Sequence, residues 1–145
     1  MQTQAVDVQR VVLVRLDPGD DLLDTLQTAV RAEGITSAVI LSGVGSLSRY
    51  QVHVVATTNL PPGDTFFGED GPYDILALTG LVLGERVHAH VTLSNTEKAI
   101  GGHLERGCRI LTFAVVALGD APGARVADWD RVGPLPPAPA GVGWS

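Results

Sequence analysis

Val87-His88-Ala89-His90-Val91-Thr92-Leu93-Ser94-Asn95-Thr96-Glu97-Lys98-Ala99-Ile100-Gly101-Gly102-His103-Leu104 is the stretch on which the fold turns. Successive side chains of an extended chain point to opposite faces. Val87, Ala89, Val91 and Leu93 therefore share one face of a strand, and His88, His90 and Thr92 share the other. The polar run Ser94 to Lys98 suits a hairpin turn, after which the chain runs back antiparallel beside the first strand. With the turn centred on Thr96 and Glu97, position 103 falls directly across from position 90 on the same face, where paired Cβ atoms stand only ~4.5–5.5 Å apart. Gly101 and Gly102 predict a bend or bulge that lets the third imidazole reach in.

Strand patterns continue on both sides of this hairpin. Ile35 to Leu41, Gln51 to Thr57, Asp74 to Leu83 and Arg109 to Leu118 read as strands, most of them separated by glycine or proline. Near the start, Arg10 to Leu16 is a β-branched run that ends at the turn signal Asp17-Pro18-Gly19-Asp20. Leu22, Leu23, Leu26, Ala29 and Val30 then recur at spacings of three and four, with Asp20 or Asp21 as N-cap and Gly34 where a left-handed C-cap belongs. The pattern predicts one amphipathic helix with a single buried face. Ser42-Gly43-Val44-Gly45-Ser46 reads as a tight connection after a strand; it matches neither the dinucleotide fingerprint nor the Walker sequence. No internal repeat and no second domain is visible, so the expectation is one domain with its core over about 10–119.

The segment from 120 to 145 carries five prolines and four glycines, which predicts irregular chain, but it also holds Trp129 and Trp144. Tryptophans seldom occur in a disordered tail, so Ala124 to Val132 is expected to pack on the body or on a neighbouring subunit.

With 145 residues, 45% apolar and 18% charged, the chain can bury a core without help from disulfides, and its lone cysteine, Cys108, is expected to be buried as a thiol. No apolar run approaches the roughly 20 residues that span a bilayer, and no export signal is visible; cytoplasm is the expected compartment and membrane is not an expected partner. The net charge of −6 comes from 16 acidic and 10 basic residues, and the bases are scattered, with Lys98 the single lysine. Phosphate backbones are bound by clustered Lys and Arg, so a nucleic-acid surface is not expected.

The chemistry rests on the histidines. Spacing alone leaves two readings of His88, His90 and His103 open: polar-face residues of a strand pair, or three nitrogens of one metal site. Three neutral imidazoles suit zinc, with nickel, copper and iron as further candidates, and leave a coordination position for water or a small-molecule ligand. His53 has no partner in its own strand and reads as surface. Glu69-Asp70 reads as a solvated loop; Glu69, Asp74 and Arg15 are the acids and base that could stand near a metal, although the sequence does not place them there. Ser42 or Ser46 lacks the nucleophile elbow of a hydrolase.

Several linked motifs resemble the plants-and-prokaryotes-conserved (PPC) domain from about Arg15 to Gly119: Gly19-Asp20 before the helix, Ser42-Gly43-Val44-Gly45-Ser46-Leu47, the run Gly71 to Gly80, His88-Ala89-His90-Val91-Thr92-Leu93-Ser94, and Gly101-Gly102-His103-Leu104. The resemblance implies an α+β fold, mainly antiparallel sheet with one principal helix packed on it, similar to the acetolactate decarboxylase-type fold. It also implies a homotrimer and, in stand-alone prokaryotic members, a metal, expected to be zinc, at His88, His90 and His103. It does not specify a reaction. Where the last strand of this family often carries a glutamate, this chain reads Phe113-Ala114-Val115-Val116. Plant members join the domain to basic AT-hook arms. No Arg-Gly-Arg core occurs here, which argues against DNA binding; the alternative to a metal protein is a noncatalytic DNA-associated regulatory or oligomerisation module.

Overall fold

The computed structural model describes residues 1–137. In chain order the elements are β1 (Arg10–Leu16), α1 (Leu22–Ala32), β2 (Ser37–Val55), β3 (Asp64–Leu83), β4 (Arg86–Ser94), β5 (Ala99–Leu104) and β6 (Arg109–Asp120). The strands form one antiparallel sheet in the order β1-β6-β2-β3-β4-β5, and β5 returns to pair with the far end of β2 through Val52 opposite Leu104 and His53 opposite His103. The strands β2, β3, β4 and β5 thus close on themselves. That closure covers the edge that β5 would otherwise expose.

The helix forms as the sequence predicts. Asp21 caps it by accepting from the Asp24 backbone N–H at 3.0 Å, and its other oxygen accepts from Gly107 N–H at 2.7 Å, tying the helix start to the β5–β6 turn. Leu22, Leu26 and Val30 are buried in one core with Leu16, Ile40, Leu47, Val52, Val82, Val91, Leu104 and Leu118. Gly34 takes φ 66° beyond the last turn, the left-handed conformation expected there. Among the described residues no helix is long and apolar enough to cross a membrane.

Three sequence expectations are corrected. Ser42 to Ser46 is not a connection; it lies inside the 19-residue strand β2, which joins the two strands expected at 35–41 and 51–57. Shifts of register against β6 between Ile40 and Ser42 and between Gly45 and Leu47 absorb the irregular pattern, so glycines that suggest a turn mark bulges instead. Glu69-Asp70 is strand rather than loop, because β3 begins at Asp64, ten positions before the alternation becomes readable at Asp74. There Arg49 pairs with Asp70 at 3.0 Å, and Glu69 accepts from Tyr73 Oη at 2.9 Å and pairs with Lys98. These contacts, and the pairing of Arg15 with Asp17, engage residues that the sequence leaves as candidates near a metal.

Cys108 is fully buried, as expected, and burial pushes its thiol up to about 11. Residues 121–137 are irregular but docked on the body: Ser37 Oγ donates to Ala124 O at 3.3 Å, and Arg125 N–H donates to Gln4 Oε1 at 2.6 Å. Trp144 lies outside the described residues.

Candidate metal centre

The hairpin registers as the sequence predicts. His90 stands directly opposite His103, and the turn is held by Asn95, whose Oδ1 accepts from the N–H groups of Glu97 and Lys98 at 2.9 and 3.0 Å. The pairings His53–His103 and His103–His90 then set three imidazoles in one row across β2, β5 and β4, with His88 two residues along β4 on the same face. Gly101 and Gly102 act differently from expectation. No bulge interrupts the β4–β5 register; instead a Cβ at position 102 would sit 2.7 Å from the His53 carbonyl oxygen and 3.2 Å from the Val52 side chain. Glycine is needed so that β5 can lie close between β4 and β2.

The rings of His88, His90 and His103 lie close together. Their centroids are 4.7 Å (88–103), 5.6 Å (90–103) and 5.7 Å (88–90) apart, with the His103 ring edge-on to both others. Imidazole nitrogens at ~2.0–2.1 Å from a tetrahedral metal place ring centres about 5 Å from one another, so the ring centres are spaced as around one ion, but among the described residues only His53, His103 and Glu105 have donor atoms that all lie within 4.8 Å of one another. Two further observations agree with a ligand there. His103 Nδ1 is buried and lies 3.4 Å from Glu105 Oε1 without the alignment of a hydrogen bond, which leaves a ring nitrogen unpartnered. His90 and His103 are both held below the ordinary histidine range, in each case mainly by burial and then by neighbouring imidazoles, and the neutral form is the one that binds metal.

His53 is not surface, as its strand alone suggests. Its side chain is 16% exposed, stacks on His103 at 4.3 Å between ring centroids, and donates from Nδ1 to Glu105 Oε1 at 2.6 Å. The pairing that brings it in spans 50 positions, and no local pattern carries it. Donor atoms of His53, His103 and Glu105 all lie within 4.8 Å of one another, a grouping that could hold an ion and that shares His103 with the three-histidine set. The two rings are stacked, with 24° between their planes, and His53 and Glu105 are already bonded to each other.

On the other side of the cluster, His88 Nδ1 lies 2.9 Å from Asp130 Oδ2. Arg86 holds the same carboxylate with two parallel bonds, Nη1 to Oδ2 at 2.9 Å and Nη2 to Oδ1 at 3.0 Å. The Arg86 guanidinium, with His88 as a lesser contributor, brings the Asp130 carboxyl down to about 2.

The comparison with known proteins follows the same lines. The Plants and Prokaryotes Conserved (PCC) domain matches residues 3–121. The chain belongs to this family. A PPC protein of Pyrococcus horikoshii is 28% identical and superimposes with a TM-score of 0.73, over 86% of this chain and 87% of that one. A metal-containing protein of Archaeoglobus fulgidus is 26% identical with a TM-score of 0.72, over 83% and 89% of the two chains. Among curated proteins, the Bifunctional protein GlmU of Synechococcus sp. (strain JA-2-3B'a(2-13)) is 35% identical over 114 residues, 78% of this chain. The chain spans 17% of that protein's length. Asp130 lies beyond the part of the chain that the PCC domain matches.

Proposed function

We propose that this PCC protein is a homotrimeric metal-binding protein, with one ion, zinc by its donor chemistry, held by His88, His90 and His103. The observation that carries the reading is that these three imidazoles share one sheet face with ring centroids 4.7–5.7 Å apart, one of them, His103, having a buried nitrogen without a hydrogen-bond partner. The metal content of the Archaeoglobus relative supports it. A zinc ion with three protein ligands keeps a coordination position for water or a carbonyl oxygen and acts there as a Lewis acid. The chain's own part is to hold His90 and His103 neutral, to seat His103 between His53 and His90, and to leave the outer side of His90 open to a small oxygen-bearing ligand.

The trimer rests on the sheet face turned away from α1. Val11, Gly119, Val39, Leu81 and His88 form one continuous row across β1, β6, β2, β3 and β4, so the histidines stand at the margin of an apolar face. Val11, Leu13, Leu41, Val44 and Phe113 are exposed there. A contiguous apolar surface of this kind is a contact surface.

Elemental analysis of the purified protein tests the metal assignment, with about one zinc per chain expected. Substituting Ala for His88, His90 or His103 should each lower the content and affinity sharply. Full occupancy in the triple-alanine variant would refute the site.

A further inference from the structure

Among the described residues, the only groups that reach His88 from outside the sheet belong to the chain beyond β6. This segment has the composition of irregular chain, yet it is anchored closely. Beside Gly84, at the β3–β4 turn, a Cβ would meet the Ala127 side chain at 2.9 Å, and Arg86 Nη2 donates to Ala127 O at 3.2 Å. The anchoring sets Asp130 over the first residues of β4, where Arg86 grips both carboxylate oxygens and His88 takes one of them. The Asp130 side chain is 14% exposed and that of His88 33%.

A carboxylate can only accept a hydrogen bond, so the 2.9 Å contact requires the proton to be on His88 Nδ1. The lone pair of the neutral ring is then on Nε2. The contact therefore settles both the tautomer and the rotation of the ring.

We propose that Asp130 is a positioning residue for the metal centre, orienting His88 so that Nε2 faces the ion, and that the segment beyond the PCC match is for this reason part of the site. Arg86 acts one step further out, fixing Asp130 by its fork. Carboxylates that bond the far nitrogen of a metal-ligating histidine fix its orientation and raise its basicity, and their loss typically weakens metal binding about 10–100-fold. This inference rests on the assignment of His88 as a ligand, and the experiment separates the two.

The test measures zinc affinity of the full chain by competition with a chromophoric chelator, the absorption spectrum of the cobalt(II)-loaded protein, and the melting temperature of the metal-free protein. Asp130→Ala should bind zinc about 10–100-fold more weakly and shift the cobalt bands while the metal-free melting temperature stays near the parent's. Asp130→Asn, whose amide oxygen can still accept from Nδ1, should recover part of the affinity; it also decides the matter if the alanine variant does not fold. His88→Ala should lose more affinity than either. An Asp130→Ala protein with parental affinity and cobalt spectrum, beside a weakened His88→Ala, would overturn the positioning role and leave the three-histidine site standing. Parental affinity in His88→Ala would instead overturn the site assignment itself. Equal losses in both Asp130 variants, with melting temperatures lowered to match, would reduce Asp130 to a docking contact and also overturn the proposal.

Discussion

On the face of the sheet turned towards α1, Leu22, Leu26 and Val30 join Leu16, Ile40, Val116 and Leu118 in one core, and all of them are buried. On the opposite face Leu13, Leu41, Val44 and Phe113 are as apolar, yet they stand 42–70% exposed. The first face is satisfied by the chain itself, through a helix with one apolar stripe. Among the described residues the second has no helix to cover it, and it carries the four histidines at its margin. One side of the sheet thus accounts for the fold, and the other is the side on which the proposed trimer contact and metal site lie.

The largest effect expected on the buried face is that of Leu26→Ala, which should cost about 2–5 kcal/mol in denaturant unfolding. A loss under about 0.5 kcal/mol would mean that the helix contributes little to the core. On the open face, Leu41→Asp should instead change assembly: light scattering should fall from near three times 15.2 kDa towards the mass of one chain, without loss of the sheet signal in circular dichroism. A parent protein that is already monomeric at micromolar concentration would break the contrast between the two faces. Asp21→Ala, which removes the cap and the link to Gly107, should cost about 0.5–2 kcal/mol.

The thiol of Cys108 sharpens the same contrast by chemistry. Its folded value of about 11 lies above the unfolded reference of about 8.5, so burial of the neutral thiol stabilises the fold fully below that reference. The contribution is lost as pH rises through the folded value. Alkylation by iodoacetamide near pH 8 should therefore be negligible in the native protein and fast in denaturant. Fast native labelling would show that the core opens. The smallest effect concerns duplex DNA. With a net charge of −6 and no Arg-Gly-Arg core in these 145 residues, affinity weaker than about 1 μM is expected near 150 mM salt. Submicromolar binding would favour the regulatory alternative.

Much of this was legible in residue order. The alternation over Val87–Leu93 and the polar turn place His103 opposite His90, and the three-and-four spacing over Leu22–Val30 marks the buried side of α1. What escapes reading is either interrupted or distant. Gly43, Gly45, Gly68 and Gly71 break the period within β2 and β3, so strands of 19 and 20 residues read as shorter pieces. His53 joins the cluster only because β5 closes back on β2, and Asp130 only because an irregular segment folds over β4. Pairings of that range leave no trace in local periodicity.

Anomalous scattering at the zinc edge from crystals of the zinc-loaded protein tests the central claim most directly. The account predicts one strong peak per chain, ~2.0–2.1 Å from a ring nitrogen of each of His88, His90 and His103, with Asp130 still on His88 Nδ1. A peak bound by His53, His103 and Glu105 and out of reach of His88 and His90 would contradict it, as would the absence of any peak in this cluster.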